Sequence, residues 1–197
     1  MGEIREPIKR TSIEKKNKII KKGFEIMCEK GYHNVSTVDI AKYAGVSTGI
    51  IYQYFTDKRD IFIEGVKDYA NKIVFPMIDI LDNNKLKFSN LEELINKMID
   101  NFIKEHTMTK KAHEELMAMS HLDDEIAELF NNAEMEMTEK IVKVFAENNR
   151  KVSKENIHIT YGIIDNFCHE VVYHKHQELN YDEMKAKVIE IVMMLMK

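Results

Sequence analysis

Between residues 47 and 58 the sequence concentrates groups that can hydrogen-bond to phosphate and to the edges of bases. The run Ser47-Thr48-Gly49 gives a helix start of small residues, where backbone N–H groups can approach a phosphate closely. Two tyrosine hydroxyls (Tyr52, Tyr54), the Gln53 amide and the Lys58 ammonium group follow. Such groups beside apolar residues suit contacts with phosphate oxygens and base edges. The opposing interpretation is that both tyrosines only pack between helices.

Small and apolar residues over 37–56 predict a helix-turn-helix whose second helix ends near Tyr54. Ala41 lets two helices approach each other, and Gly45 suits the left-handed backbone of a tight turn. Ile51 is expected to hold the second helix against the first. Further packing is expected from four apolar residues: Val38, Ile40, Val46 and Ile50.

Helical periodicity extends through most of the sequence, and two prolines and seven glycines are few interruptions. An all-α fold of about nine helices is therefore predicted. Helix 1 is expected at about 13–30, with a capping box that begins at Thr11. Helix 4 is expected to start after Asp57 and to continue towards Pro76. Five later helices are expected at about 91–104, 109–120, 123–147, 154–176 and 181–197.

The charge of the chain is unevenly distributed. Residues 1–60 hold 12 Lys and Arg against 8 Asp and Glu, whereas the rest carries a net charge of −8. A basic head on an acidic body favours a polyanionic partner for the head. With no long apolar run, no signal-like N-terminus and two distant cysteines (Cys28, Cys168), neither a membrane span nor a disulfide framework is expected. A cytoplasmic protein is predicted.

Residues 31–62 (GYHNVSTVDIAKYAGVSTGIIYQYFTDKRDIF) resemble the N-terminal domain of TetR-type transcriptional repressors. The likeness is dense over about 12–66 and includes the Gly-Tyr pair before helix 2, the Tyr-x-Tyr-Phe ending and the lysine that opens helix 4. It implies a three-helix DNA-binding domain at 1–66. Through helix 4 this domain would join a helical effector-binding and dimerisation domain at 67–197.

The resemblance also implies DNA contacts at nine residues: Ser36, Thr37, Ser47, Thr48, Gly49, Tyr52, Gln53, Tyr54 and Lys58. Among these, Thr37, Tyr54 and Lys58 are expected to contact phosphates. The residues of helix 3 are expected to meet base edges and backbone in the major groove, with Gln53 reading the sequence.

In such repressors the last two helices pair with those of a second chain. Helix 9 is apolar around much of its circumference, which fits a homodimer because a helix with two apolar faces needs a neighbour on each. A monomer whose own core covers both faces is the alternative. The predicted dimer interface is Ile157, Tyr161, Ile164, Cys168, Val171, Met184, Val188, Ile191 and Leu195.

A small-molecule effector is expected in the C-terminal body, although its methionines also fit as ordinary core filling. The candidate pocket residues are Phe102, His106, Met117, Phe130, Met137, Phe167 and His169. No cofactor and no metal site are predicted, because no His-x3-His pair occurs and His174 and His176 would face different sides of a helix.

The predicted function is a dimeric repressor that an effector releases from a palindromic operator in double-stranded DNA. The alternatives are a helical enzyme and a protein-binding adaptor. The sequence contains no GxxxxGK[ST], HExxH or CxxC motif, and the neighbours Cys168 and His169 would point apart on a helix. An adaptor would have no need for the polar surface at residues 37–58.

Overall fold

The computed structural model describes residues 7–69, 91–108 and 110–196, and its regular elements over these ranges are helical. The all-α prediction is confirmed. The predicted course of helix 4 towards Pro76 lies outside the described residues beyond 69. In chain order the elements are α1 (Arg10–Lys30), a 3-10 turn (Tyr32–Asn34), α2 (Thr37–Ala44), α3 (Thr48–Ile51), α4 (helical over 58–69), α5 (Leu91–Met108), α6 (Lys110–Ser120), α7 (Asp124–Glu147), α8 (Lys154–Tyr173) and α9 (Tyr181–Leu195).

The chain forms two compact units. Residues 1–70 and 111–129 make up the first unit, and residues 71–110 and 130–197 make up the second. The first unit thus includes α6 and the start of α7 together with the helix-turn-helix, whereas the sequence predicted a single boundary at 66/67.

The core of the first unit forms where α1 crosses α2 and α4. Ile19, Ile40 and Phe62 are completely buried there. Gly23 on α1 makes the crossing possible, because a Cβ atom at this position would lie 2.6 Å from the Ile61 side chain. The absence of a side chain at residue 23 therefore sets how closely the helices approach.

Two local predictions in this unit are wrong. Helix α1 begins at Arg10, after Lys9, and no side chain caps it, so the expected capping box at Thr11 is not formed. The carbonyl of Lys9 already accepts hydrogen bonds from the backbone N–H groups of Ser12 and Ile13, at 2.9 and 3.0 Å. Val38 is 62% exposed instead of packed. It precedes buried Ile40 by two residues, and residues two apart in an α-helix lie on nearly opposite faces.

The second unit is built around α5, α8 and α9. Its core includes Ile99, Ile157 and Val192. Helix α8 is capped by Ser153, whose Oγ accepts from the Asn156 backbone N–H at 3.0 Å, and it ends at Tyr173, three residues before the predicted end. Among the described helices of the chain, none is both long and apolar enough to cross a membrane.

Candidate nucleic-acid interface

Helix α2 begins with a reciprocal cap between Ser36 and Asp39. The Ser36 Oγ accepts from the Asp39 backbone N–H at 3.2 Å, and the Asp39 carboxylate accepts from the Ser36 N–H at 2.9 Å. The hydrogen bonds from Ser36 hold the pKa of Asp39 below its usual value. Ser36 is thus the cap, while Thr37 is the first helical residue and half-buried. This cap fixes the start of α2 at the exposed edge of the unit.

The turn after α2 depends on Gly45. Its φ of 65° and ψ of 41° are left-handed, a conformation that glycine adopts without strain. The Gly45 N–H donates to the Lys42 carbonyl at 3.2 Å, and the Val46 N–H donates to the Ala41 carbonyl at 3.0 Å. These bonds close the turn and determine the direction of α3.

Helix α3 presents one side to the core and the other to solvent. Ile51 is fully buried and Phe55 is 2% exposed. Tyr52 is 54% exposed, and Gln53 beside it is also exposed. The α-helix ends at Ile51, earlier than predicted, and hydrogen-bonded turns continue to Tyr54, whose backbone N–H donates to the Ile51 carbonyl at 3.0 Å. The buried pair therefore anchors an exposed polar edge.

Most of the nine predicted DNA contacts lie at the surface of this segment. Ser36, Ser47, Gly49, Tyr52 and Gln53 are exposed, and the other four are half-buried: Thr37, Thr48, Tyr54 and Lys58. Sequence reasoning missed Val38 as a surface residue of α2, although its angular distance from Ile40 was a usable signal. An exposed apolar side chain next to polar groups is of the kind that can contact thymine methyl groups in a major groove.

Lys58 is engaged within the protein. Its Nζ donates to the backbone carbonyls of Tyr32 and Val35, at 2.7 and 2.8 Å, and lies 4.4 Å from the centre of the Tyr32 ring. The ammonium group thus holds the 3-10 turn against the start of α4. Two of its three N–H groups are used in this way, which leaves one for a phosphate.

Residues 111–129 contact the rest of the first unit through polar groups of Tyr32 and Arg59. The Tyr32 backbone N–H donates to the Glu115 carboxylate. Arg59 on α4 donates through Nε and Nη2 to both oxygens of Asp123, the second at 2.8 Å, and Nη2 also lies 2.8 Å from Glu125. The Arg59 guanidinium keeps the pKa of Asp123 below its usual value. These charge-assisted bonds hold α4 to the α6–α7 turn.

The second unit contains an apolar cavity of about 60 Å³ between α5, α7, α8 and α9. Of the seven predicted effector residues, Phe102 and Met137 line it. Phe167 belongs to the surrounding core, and Phe130 is half-buried elsewhere on α7. Met117 lies in the first unit. The structure therefore brings together only part of the predicted pocket.

The other two predicted effector residues form a separate cluster with Asp165. His106 is buried on α5, and His169 is half-buried on α8. Their ring centres are 5.1 Å apart. Each Nε2 lies 3.7 Å from an oxygen of Asp165.

The predicted dimer residues divide into two groups. Ile157, Ile164 and Cys168 lie in the chain's own core, where a second chain would not reach them. The other six are half-buried or exposed: Tyr161, Val171, Met184, Val188, Ile191 and Leu195. Met184 and Val188 also line a groove of about 650 Å³ with Ile159, Gly162 and Leu179. The sequence prediction assigned the inward side of α8 to the dimer interface. Both sides of this helix carry isoleucines, so periodicity alone does not distinguish the inward side from the outward one.

Comparison with known families gives a match to part of the first unit. The pattern of the bacterial regulatory proteins of the tetR family matches residues 19–64, from the buried part of α1 through α3 into α4. Residues 19–64 form a TetR-family domain. The matched residues include the exposed edge of α3 and the helix-turn-helix on which the sequence resemblance rests.

Two relatives named as HTH-type transcriptional regulators match different lengths of the chain. The HTH-type regulator HbdR of Aromatoleum sp. (strain CIB) is 42% identical over 55 residues, which cover 28% of this chain and 24% of HbdR. The chain therefore matches about a quarter of that relative's length. The biofilm operon icaADBC negative transcriptional regulator IcaR of Staphylococcus aureus (strain Newman) is 26% identical over 143 residues, which cover 64% of this chain and 74% of IcaR.

Solved structures share the fold. The transcriptional regulator SCO7518 of Streptomyces coelicolor A3(2) superposes with a TM-score of 0.76 at 14% identity, over 93% of this chain and 99% of that chain. A TetR-family regulator of Mesorhizobium loti gives a TM-score of 0.72 at 18% identity, over 95% and 97% of the two chains. The chain therefore shares the helical fold of these two structures well beyond residues 19–64.

Proposed function

We propose that the chain is a TetR-type transcriptional repressor that binds a palindromic operator in double-stranded DNA. The observation that carries the proposal is the polar edge of α3, where exposed Tyr52 and Gln53 stand on buried Ile51 and Phe55. A rigid support under exposed hydrogen-bonding groups is what base-edge reading in a major groove requires. Such a regulator would work in the cytoplasm.

We propose a homodimer formed through the outward side of α8 and the facing side of α9. Ile159 and Ile191 are exposed there, and a Cβ at Gly162 would meet no atom within 4 Å in the single chain. A second copy would cover this apolar groove, and a two-fold axis would place two recognition helices on one duplex. Half-sites would then lie about 34–36 Å apart.

The proposed effector is a small, mainly apolar molecule with one hydrogen-bonding group. The cavity is lined by apolar side chains together with Thr160 and Tyr161. Thr160 is 6% exposed, and its Oγ1 has no hydrogen-bond partner among the described residues. A buried hydroxyl without a partner favours a ligand that supplies one. Flexible Met98 and Met137 can yield to a ligand larger than the cavity.

Release would follow from unequal affinity. An effector lowers operator affinity only if it binds the released state more tightly than the DNA-bound state, and operator DNA must then weaken effector binding by the same factor. This reciprocity gives a check that needs no knowledge of the pathway.

The proposed function is tested by a gel shift on the DNA upstream of the protein's own gene. Gln53→Ala should weaken specific binding by about 1–3 kcal/mol, because a base-edge contact is lost. Gln177→Ala is the matched control, since Gln177 is an exposed glutamine in the second unit. Binding that is equal for both variants would contradict the assignment of α3 as the reading element.

The dimer is tested by light scattering after size exclusion. Val188→Glu places a charge in the proposed interface and should shift the protein from two chains towards one. Ile8→Glu is the control, because Ile8 is 93% exposed and lies in the first unit. A native protein that is monomeric at the concentrations used for DNA binding would refute the proposed assembly.

A further inference from the structure

The second unit holds a cluster of metal-ligand residue types that the proposed repressor activity does not use. It consists of His106 on α5 and of Asp165 and His169, one turn apart on α8. The Nε2 of His106 lies 3.7 Å from Asp165 Oδ1, and the Nε2 of His169 lies 3.7 Å from Asp165 Oδ2. A ring nitrogen of His106 also lies within 4.8 Å of a ring nitrogen of His169.

Hydrogen bonding fixes which nitrogen of His106 is available as a ligand. Its Nδ1 lies 2.8 Å from the backbone carbonyl of Phe102, and a carbonyl can only accept. Nδ1 therefore carries a proton, and Nε2, which faces Asp165, is the nitrogen that a metal would bind. Histidines that bind metals are oriented in this way, with the second ring nitrogen donating to a carbonyl or carboxylate.

We propose that His106, Asp165 and His169 bind a divalent transition-metal cation, of which Zn²⁺ is the best match. Tetrahedral Zn²⁺ with bonds of about 2.0–2.1 Å holds its ligand atoms roughly 3.3–3.4 Å apart. The two 3.7 Å separations exceed that value by a few tenths of an ångström and end on different oxygens of Asp165, so the carboxylate and the rings must shift for one ion to be bound by all three residues. Two imidazoles and one carboxylate form a donor set typical of Zn²⁺, with water as the fourth ligand.

The surroundings of the cluster favour a cation. The Asp165 side chain is 29% exposed, so the carboxylate is mostly enclosed and still reachable by water. A bound cation would offset the negative charge of this enclosed carboxylate. It would also join α5 to α8 across the core of the unit.

A second histidine–carboxylate pair in the same unit lies at the surface and allows a comparison. His176 Nε2 lies 3.5 Å from Glu170 Oε1, a separation close to those of the cluster. The His176 side chain is 62% exposed, in contrast to buried His106. This pair therefore serves as the matched control for histidine–carboxylate chemistry without a ligand set.

The test is calorimetric titration of Zn²⁺ into the full chain after dialysis against a chelator, without DNA. We expect one Zn²⁺ per chain. Asp165→Asn and His169→Gln should each weaken binding at least tenfold, whereas His176→Gln should leave it unchanged. Co²⁺ should give the visible absorption of a four-coordinate site in the native chain and lose it in Asp165→Asn. Circular dichroism confirms that each variant is folded.

Three results would overturn the proposal: no stoichiometric binding by the native chain, unaltered affinity in both cluster variants, or loss of binding in His176→Gln. Asp165→Asn changes the size of the side chain very little, so it remains informative if a histidine variant fails to fold. Because the titration involves no DNA, its outcome is independent of whether the chain represses transcription.

Discussion

Replacing Lys58 with methionine separates two roles that the residue can have. The family resemblance implies a phosphate contact, whereas the structure commits the ammonium group to the carbonyls of Tyr32 and Val35. Methionine keeps an aliphatic stem against the Tyr32 ring but removes all three N–H groups. The variant therefore changes the hydrogen bonds with little change in packing.

The expected loss of stability follows from those two bonds. A hydrogen bond to a charged group contributes about 1.5–3 kcal/mol when well buried. Lys58 is only half-buried, so water replaces part of each bond, and we expect Lys58→Met to lower the free energy of unfolding by about 2 kcal/mol in total. A phosphate contact would instead change the salt dependence of DNA binding by about 0.9 in slope.

Two measurements distinguish these outcomes. Urea unfolding gives the stability of Lys58→Met against Lys21→Met, which removes an exposed lysine of α1 and should change stability by less than about 0.5 kcal/mol. Gel shifts at several salt concentrations give the slope of log affinity against log salt. The structural interpretation is refuted if stability is unchanged and the slope falls by about one contact.

Three further predictions concern packing, pH and thiol chemistry. Gly23→Ala should destabilise the fold by about 1–3 kcal/mol in urea unfolding, because its Cβ would collide with Ile61; unchanged stability would mean that the helices can separate at little cost. Arg59 lowers the pKa of Asp123 below 3.8, so the folded state binds fewer protons and the ion pair stabilises it above that pH. The advantage of the native chain over Asp123→Asn should be about 1 kcal/mol near neutral pH and vanish as pH falls through the folded pKa; a constant difference in unfolding free energy down to acid pH would contradict this. Burial raises the pKa of both cysteine thiols to about 12, so a thiol reagent should label neither in the native chain and both in urea, and rapid native labelling would count against their burial.

Helical periodicity in this sequence was sufficient to predict the architecture, because most helices bury one continuous stripe. The predicted start of α7 differs from the observed one by one residue, and the predicted end of α6 at Ser120 agrees with the observed end. The predicted helix ends are wrong where local hydrogen bonds compete with continuation of the helix. Helix α8 ends early, and the segment that follows is held by the Tyr181 hydroxyl, which accepts from the His176 N–H at 2.7 Å.

The polar edge of α3 was also predictable, since the spacing of Gly45 and Ile51 determines which neighbours face outwards. The role of Lys58 was not, because its two acceptors are carbonyls more than twenty residues away. Likewise, spacing along one helix could not reveal a cluster whose histidines come from α5 and α8. Contacts between elements depend on tertiary packing, which periodicity does not encode.

The attachment of residues 111–129 to the first unit has a consequence for protein engineering. Cutting the chain after residue 70, where the family pattern has ended, would remove Glu115 and Asp123, the acceptors for the Tyr32 N–H and for Arg59. A chimera that grafts this helix-turn-helix onto a foreign sensor should therefore carry the α6–α7 turn along with it. Recombination directly after the family match would separate the helix-turn-helix from residues that support it.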